Sequence, residues 1–156
     1  MKKIKLTQDK VALVDDEDYE ELNRYKWILI TSKVQGTYYV KNSAGITMHQ
    51  YILRYPKSIV DHKDGNGLNN QRANIRLCTS QQNSRNRRKK KGCASIYKGV
   101  SRNKTGKEWR ACIFFDHRKI HIGSFDYEKN AALAYNIMAE KLFGDFAKLN
   151  DIGGSK

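Results

Sequence analysis

A dense basic segment, RNRRKKK at residues 85–91, is the feature that most constrains how this chain can fold. It is followed by Gly92 and then by three small residues. A chain of 156 residues can form one compact domain or two small ones, and length alone does not decide between them. The basic segment predicts two domains, over residues 1–84 and 95–156, joined by a basic linker at 85–94.

Two interpretations of the basic segment stay open. It can be the solvated end of a helix, because most charge runs only face water. The preferred interpretation is a cationic strap that lies along a DNA backbone and holds phosphates with Arg87, Arg88, Lys89 and Lys90. On this interpretation the segment adds affinity but little sequence preference.

The whole chain carries a formal net charge of +14. Each Lys or Arg that neutralises a phosphate releases condensed counterions, so double-stranded DNA is the expected partner. Structured RNA is an alternative, since charge alone does not separate the two. The sequence holds no apolar stretch of membrane-spanning length and begins with a polar strand instead of a signal peptide, so we expect a cytoplasmic protein. Three cysteines without a CxxC pair predict reduced thiols.

Short apolar and turn-forming runs organise the first domain. An apolar run at Val11–Val14 precedes an acidic segment in which Asp15 can cap a helix. Alternating or aromatic-rich runs follow at Lys26–Ile30, Thr37–Lys41 and Gly45–His49. These runs predict a small antiparallel sheet.

A strand, loop, strand and helix come next. The segment Ile59–His62 begins with two apolar residues and ends in Asp61 and His62, whose side chains can act in catalysis. The DGNGLNN sequence that follows Lys63 is rich in residues that form tight turns. Asn74–Cys78 alternates as a strand, and the TSQQ sequence from Thr79 is a capping box that begins a helix. That helix places Asn83 and Asn86 on one face.

Four polar side chains in this region suit phosphodiester hydrolysis. A neutral histidine can accept a proton from water, and Mg²⁺ or Mn²⁺ prefers carboxylate and amide oxygens. Asp61, His62, Asn74 and Asn83 supply these groups. Adjacent strand residues point to opposite sides, so the first two would need a strand end or a twist to act together. Taken singly, each residue is more typical of a hydrogen-bonded structural role.

The region from about Met48 to Asn86 resembles the HNH endonucleases of phages and their introns, through MHQYIL and VDHKDGNGLNNQRANIRLCTSQQNSRN. The resemblance implies a ββα-metal core in which His62 is the general base. It implies that Asp61 and Asn83 hold the metal and that Asn74 orients the histidine and braces the loop. An asparagine where other members carry a last histidine favours Mg²⁺ or Mn²⁺ over zinc.

Other polar residues of this region receive structural interpretations. His49 can contact a phosphate or stabilise the start of a short helix, and the structural role is preferred because nothing in its spacing demands a ligand. Asn69, Asn70 and Asn86 are interpreted as loop and helix-surface residues, and Asn86 is the one whose role stays most open.

Three strand-like runs and a helix make up the second domain. The runs are YKGVSRN, KEWRACIFF and RKIHIGSF. Asp126 is a plausible helix cap, Gly144 a plausible helix end, and Trp109 a packing residue. An apolar stripe at helical spacing predicts the side of the helix that packs, through Ala131, Ala134, Tyr135, Met138 and Leu142.

The stretch from about Ser95 to Asn150 resembles the plant ethylene-response-factor, APETALA-type, DNA-binding domain through YKGV, WRACI, HIGSF and AALAYN. The resemblance implies a three-stranded antiparallel sheet on one helix, with the outer sheet face in the major groove. Strand parity directs Ala111, Ile113, Ile120 and Ile122 to the helix. The expected DNA-binding residues of the domain are Lys98, Ser101, Asn103, Arg110, Cys112, Phe114, Lys119 and His121.

The sequence therefore predicts an α+β protein with an N-terminal nuclease module and a C-terminal sheet-helix domain. Its expected activity is metal-dependent cleavage of duplex DNA by a monomer, as a strand-nicking homing endonuclease that needs no obligatory protein partner. The alternative is a DNA-binding regulator that keeps the nuclease scaffold without cutting. An intact set of four site residues favours the enzyme.

Overall fold

The computed structural model describes residues 1–31, 37–89 and 92–153, and these fall into two compact units. The first unit runs from Met1 to Asn83, and the second begins at Ser84. Within the described part of the chain, no helix is long and apolar enough to cross a membrane.

Among its described residues, the first unit contains three two-stranded antiparallel sheets, two short helices and the start of a third helix. The strands are β1 (Lys2–Lys5), β2 (Val11–Val14), β3 (Ile28–Thr31), β4 (Tyr38–Lys41), β5 (Ile59–His62) and β6 (Ile75–Cys78). The helices are α1 (Asp16–Leu22), α2 (Met48–Ile52) and α3 (Ser80–Asn86), and a 3₁₀ turn spans Thr7–Asp9. The sheets pair β1 with β2, β3 with β4 and β5 with β6.

A cluster of buried apolar side chains joins most of these elements. Its largest fully buried members are Trp27, Leu22, Met48, Val14 and Val40. They come from segments that are distant in sequence, so the short sheets are stabilised by a shared core and not by their own length.

The expected strand at Gly45–His49 is wrong. The chain forms one antiparallel bridge at Thr47 and then enters helix α2. Met48, Tyr51 and Ile52 are buried at helical spacing, and burial of all three against the core requires a turn of helix instead of an alternating strand.

Asp15 occupies the N-cap position of α1, as expected, but its side chain makes no capping bond. Its carboxylate instead accepts hydrogen bonds from the backbone N–H of Arg72 at 2.7 Å and from Nε2 of Gln71 at 3.1 Å. These bonds attach the first helix to the segment that precedes β6.

The β5–β6 hairpin and α3 form in the predicted order. In the register of the hairpin, Asp61 lies opposite Arg76 and His62 opposite Ile75. The predicted capping box is confirmed, because the backbone N–H of Gln82 donates to Oγ1 of Thr79 at 3.2 Å and the Gln82 side chain accepts from the Thr79 N–H at 2.8 Å. The helix start is therefore fixed close to the end of β6.

The second unit is a three-stranded antiparallel sheet with one helix against it. Its elements are β7 (Val100–Arg102), β8 (Trp109–Phe115), β9 (Arg118–Phe125) and α4 (Glu128–Phe143), followed by a 3₁₀ turn at Gly144–Phe146. The predicted division of the sheet into two faces is confirmed. Ala111 and Ile113 are buried, and Ile120 and Ile122 are half-buried in the same clusters as the helix. Trp109 is buried too, as a packing residue should be.

The sequence predicts the C-terminal end of α4 correctly but not its N-terminal cap. The N-cap is Tyr127 and no side chain caps the helix, so the expected cap at Asp126 is wrong. The C-cap is Gly144 with φ of 51°, which confirms the expected glycine end. The helix start is stabilised by packing of Ala131 and Ala132 and not by a capping bond.

Candidate active site

Strand β5 ends in two buried polar residues, Asp61 and His62. Burial of both is possible because the strand stops here and the chain turns at once, with the Gly65 N–H donating to the His62 carbonyl at 2.9 Å. A strand end was the condition for these neighbours to share one site. The structure meets it.

Asp61 forms an ion pair with Arg76 from the facing strand. Its Oδ2 accepts from Nη2 of Arg76 at 2.9 Å and from Nε at 3.1 Å. Both side chains are largely buried, at 8% and 12% exposure. A carboxylate buried without a counter-charge would be strongly disfavoured, so the guanidinium allows an anion to stand at this position.

His62 contacts Asn70, a fully buried residue from the loop between β5 and β6. Nε2 of His62 lies 3.3 Å from Oδ1 of Asn70, whose amide nitrogen donates to the Gly67 carbonyl at 3.4 Å. An amide oxygen only accepts, so this contact assigns the hydrogen of the neutral imidazole to Nε2 and the lone pair to Nδ1.

Burial lowers the pKa of His62 below its usual value, and the hydrogen bond to Asn70 partly opposes that shift. The negative charges of Asp64 and Asp61 also act to raise the pKa. Burial dominates, so the imidazole is neutral near pH 7. A neutral ring with a lone pair at Nδ1 is the form that a general base requires.

Asn74 braces the loop between the two strands. Its amide nitrogen donates to Oδ1 of Asp64 at 3.0 Å and to the Asn69 carbonyl at 2.7 Å, while its Oδ1 accepts from the Asp64 N–H at 3.1 Å. The orientation of His62 by Asn74 stays a prediction. The contact to Nε2 of the histidine comes from Asn70, which the sequence analysis interpreted as a plain loop residue.

Asn83 lies half-buried on α3, with its N–H donating to the Thr79 carbonyl at 2.9 Å. The pKa of the Cys78 thiol is influenced by both Asn83 and Asp61. Burial and the charge of Asp61 raise the pKa of Cys78, and a hydrogen bond from the backbone of Asn83 lowers it. The Cys78 thiol therefore contacts the backbone of Asn83 and lies within reach of the Asp61 charge.

The two expected metal ligands, Asp61 and Asn83, both carry side-chain oxygen atoms. A carboxylate from Asp61 and an amide oxygen from Asn83 are ligands that suit Mg²⁺ or Mn²⁺, which keep several waters in protein sites. Zinc prefers nitrogen and sulfur ligands. Among the described residues, no group of three or more His, Cys, Asp and Glu side chains could hold a metal ion.

Two aromatic residues that the sequence analysis did not assign to the site surround His62. The His49 ring lies with its centroid 5.0 Å from that of His62, at 85° between the planes. The Tyr39 ring is 6.0 Å from His62 and 6.2 Å from His49. Burial, and then the charge of His62, lowers the pKa of His49 to about 4. A helical interpretation of Met48–Ile52 from the sequence would have placed His49 on a helix that packs on the core, and so would have indicated that its ring is buried.

The outer face of the sheet in the second unit carries most of the expected DNA-binding residues. Ser101, Arg110, Phe114, Lys119 and His121 are exposed. Cys112 is half-buried, with Sγ 3.7 Å from Nδ1 of His121. The apolar ring of Phe114 is 66% exposed, so packing within the fold does not explain an aromatic residue at this position. This face therefore combines positive charge with an apolar contact.

Two other expected DNA-binding residues, Lys98 and Asn103, make hydrogen bonds within the second unit. Nζ of Lys98 donates to the carbonyls of Arg85 and Arg87, and burial lowers the pKa of Lys98 to about 8. Oδ1 of Asn103 accepts from the Lys107 N–H at 3.1 Å and so holds the turn between β7 and β8. Both side chains are used within the fold.

The described residues of the basic segment also differ in whether their side chains are exposed or hydrogen-bonded within the second unit. Arg87 and Arg88 are exposed. Nζ of Lys89, however, donates to the carbonyls of Tyr97 and Val100 at 2.7 Å each, so it belongs to the packing of the second unit. Lys90 lies outside the described residues.

Comparison with known proteins adds three findings. A family profile described as HNH endonuclease matches residues 54–85. An uncharacterized HNH endonuclease of Acanthamoeba polyphaga mimivirus is 35% identical over 148 residues, covering 90% of this chain and 75% of the relative. Protein 3.8 of Escherichia phage T7 is 34% identical over 89 residues, covering 57% of this chain and 73% of the relative. The profile spans the β5–β6 hairpin and most of α3.

Proposed function

Because this chain belongs to the HNH endonuclease family and is a DNA nuclease, we propose that His62 is its general base and that Asp61 and Asn83 hold a divalent metal. The observation that carries the proposal is a buried, neutral imidazole at the end of β5, next to a carboxylate. Hairpin and helix would then act as a ββα-metal site. When bound, Mg²⁺ or Mn²⁺ stabilises negative charge on the phosphate and on the leaving oxygen.

The proton transfer follows from the tautomer of His62. Nδ1 accepts a proton from the attacking water, and the ring becomes an imidazolium. That cation is stabilised by the Nε2–H bond to Asn70 and by the charges of Asp61 and Asp64, the same groups that raise the pKa of the ring. The base is therefore neutral before the reaction and supported once it has taken the proton.

We also propose that the second unit binds duplex DNA through the outer face of its sheet. This proposal is supported by the exposed side chains there and by charge, since residues 84–156 contain seventeen Lys and Arg against seven Asp and Glu. Lys and Arg would contact phosphate or guanine, and Phe114 would contact a thymine methyl group. The same mode of binding, with the outer sheet face in the major groove, is what the resemblance to the APETALA-type domain implies.

One nuclease site per chain supports nicking of one strand by a monomer. Both relatives are viral, so we further propose a site-specific homing endonuclease of a phage or virus. Strand-specific end-labelled duplex should give product on one strand only. Cuts on both strands at enzyme concentrations too low for association would contradict the single-site proposal.

The cleavage proposal is tested with supercoiled plasmid, and with genomic DNA that contains the natural locus, in Mg²⁺ or Mn²⁺ with and without chelator. We expect His62→Ala to lower cleavage at least about a hundredfold, the usual contribution of a positioned general base, with DNA affinity nearly unchanged. His117→Ala, in the exposed turn between β8 and β9, is the matched control.

The two assays together separate the rival functions. Binding in a gel shift without cleavage of genomic DNA under any metal would indicate a DNA-binding regulator on a nuclease scaffold. A folded His62→Ala variant that loses binding in parallel with cleavage would show that the general-base assignment is wrong.

A further inference from the structure

His49 carries a buried nitrogen that lacks a hydrogen bond. The residue is 8% exposed, and its Nδ1 has no hydrogen-bond partner in the described part of the chain. A buried polar atom left unpaired costs about 1–3 kcal/mol, and folded proteins contain few of them. An unpaired nitrogen next to a reaction site therefore indicates a ligand position.

The neighbours of His49 determine which kind of ligand fits. Nε2 lies 2.9 Å from Oγ1 of Thr47, and that hydroxyl donates its hydrogen to Oε1 of Gln50 at 2.7 Å. The Thr47 oxygen must therefore accept from Nε2–H, which leaves the lone pair on Nδ1. This nitrogen needs a hydrogen-bond donor. The non-bridging oxygens of a phosphodiester are acceptors only, whereas water donates.

The ring of His49 packs directly against that of His62. The two ring centroids are 5.0 Å apart and the planes are nearly perpendicular. Hydrogen bonds from a water hydrogen to a ring nitrogen span about 2.8 Å between heavy atoms, so one water can reach both rings. Each neutral ring offers its lone pair at Nδ1.

We propose that His49 is a second catalytic histidine, whose Nδ1 accepts a hydrogen bond from the water that attacks the phosphate. The inference rests on the proposed role of His62. One proton of the water passes to His62 while its oxygen bonds to phosphorus and the bond from phosphorus to the leaving oxygen breaks. The second hydrogen stays on the attacking oxygen, hydrogen-bonded to His49, and the leaving oxygen takes a proton from solvent. His49 thereby fixes the direction of the lone pair that attacks.

Three substitutions separate the lone pair from the packing of the ring. His49→Phe keeps an aromatic ring against His62 and Tyr39 but removes the nitrogen. His49→Asn places an amide oxygen near the position of Nδ1, whereas His49→Gln places its amide near Nε2. The measurements are the single-turnover cleavage rate at saturating duplex DNA, the DNA affinity in chelator, and the melting temperature.

We expect His49→Phe to slow cleavage at least about tenfold at unchanged DNA affinity, because a misdirected nucleophile loses the advantage of orientation. His49→Asn should recover part of that loss and cleave faster than His49→Gln. Equal rates for the wild type and His49→Phe would overturn the proposal. Equal rates for the Asn and Gln variants would overturn it too, and this comparison stands if the Phe variant does not fold. Unimpaired cleavage by His62→Ala would instead refute the proposed function.

Discussion

At the scale of single residues, the reactivity of this site depends on where hydrogens sit on two buried imidazoles. Asn70 assigns the hydrogen of His62 to Nε2, and Thr47 assigns that of His49 to Nε2 as well. Both lone pairs are thus at Nδ1, in rings whose pKa values burial lowers. Burial, which disfavours the imidazolium, keeps both rings neutral near pH 7.

The role of Asn70 is testable at the same scale. Asn70→Ala removes the acceptor for Nε2–H, so the ring of His62 loses its fixed tautomer and the imidazolium loses a stabilising bond. We expect the single-turnover rate to fall about tenfold to a hundredfold with DNA affinity retained. Asn69→Ala is the control, since that side chain contacts Asp64 at 2.9 Å. Equal effects of the two substitutions would show that the loop, and not the hydrogen bond, is what matters.

His49 also predicts a pH dependence of folding stability in the absence of metal. Its pKa is about 4 in the folded protein and 6.5 in the unfolded chain. The unfolded state therefore binds the proton more readily below pH 6.5, and stability is lost as the pH falls from 6.5 towards 4. Between pH 7.5 and pH 5 this one group should cost roughly 2 kcal/mol.

Urea unfolding of the wild type and of His49→Phe in chelator at the two pH values measures this contribution. Phenylalanine does not titrate, so the variant should lose about 2 kcal/mol less than the wild type over the same range. Identical losses would mean that His49 is not neutral in the folded protein.

At the scale of elements, local signals predicted some parts of the fold and tertiary contacts determined others. The capping box at Thr79 and the glycine after α4 act within a few residues, so sequence alone revealed them. Helix α2 is only five residues long, and the helical spacing of its buried residues Met48, Tyr51 and Ile52 is too short to distinguish from a strand by sequence. The contacts of Asn70 and His49 with His62 join separate segments, so spacing could not predict them.

Gly99 illustrates an element contact that only the structure reveals. Its φ is +77°, and an added Cβ would lie 2.0 Å from Cδ2 of Tyr135 on α4. Gly99→Ala should therefore strain the backbone and push the helix from the sheet, at a cost of at least about 3 kcal/mol in unfolding free energy.

Gly106→Ala is the matched control for this substitution. Gly106 has a similar φ of +73°, but an added Cβ would meet nothing within 4 Å. Gly106→Ala should lower the free energy of unfolding by only about 1 kcal/mol, which is the cost of the backbone strain without a steric clash. Equal costs in denaturant unfolding would show that contact with Tyr135 does not limit the side chain at position 99.

At the scale of the whole molecule, the second unit begins before the small residues that follow the basic segment. Lys98 binds the carbonyls of Arg85 and Arg87, and Lys89 binds those of Tyr97 and Val100. A fragment that begins at Ser84 should therefore fold and bind DNA without cutting it. A fragment that begins at Ser95 leaves the half-buried ammonium of Lys98 without these partners, so it should unfold at lower denaturant concentration. Circular dichroism and a gel shift compare the two, and equal midpoints would mean that the segment 84–94 contributes no stability.

The same contacts change what the basic segment can do for DNA binding. Arg87 and Arg88 are exposed, whereas Lys89 is held by two carbonyls, so the strap offers fewer free cations than its sequence predicts. Each phosphate contact contributes close to one unit to the slope of log affinity against log salt. Arg87→Gln with Arg88→Gln should thus flatten the slope by up to about two units on every DNA sequence.

Two further variants separate local phosphate contact from bulk charge. Lys129→Gln with Lys141→Gln removes the same charge from exposed positions of α4, the helix that covers the inner face of the sheet. This pair should leave the slope nearly unchanged, because it faces away from the expected DNA surface. Lys89→Gln should lower the stability of the second unit without altering the slope. If the α4 pair flattens the slope as much as the arginine pair, the basic segment acts through net charge alone and the strap is refuted.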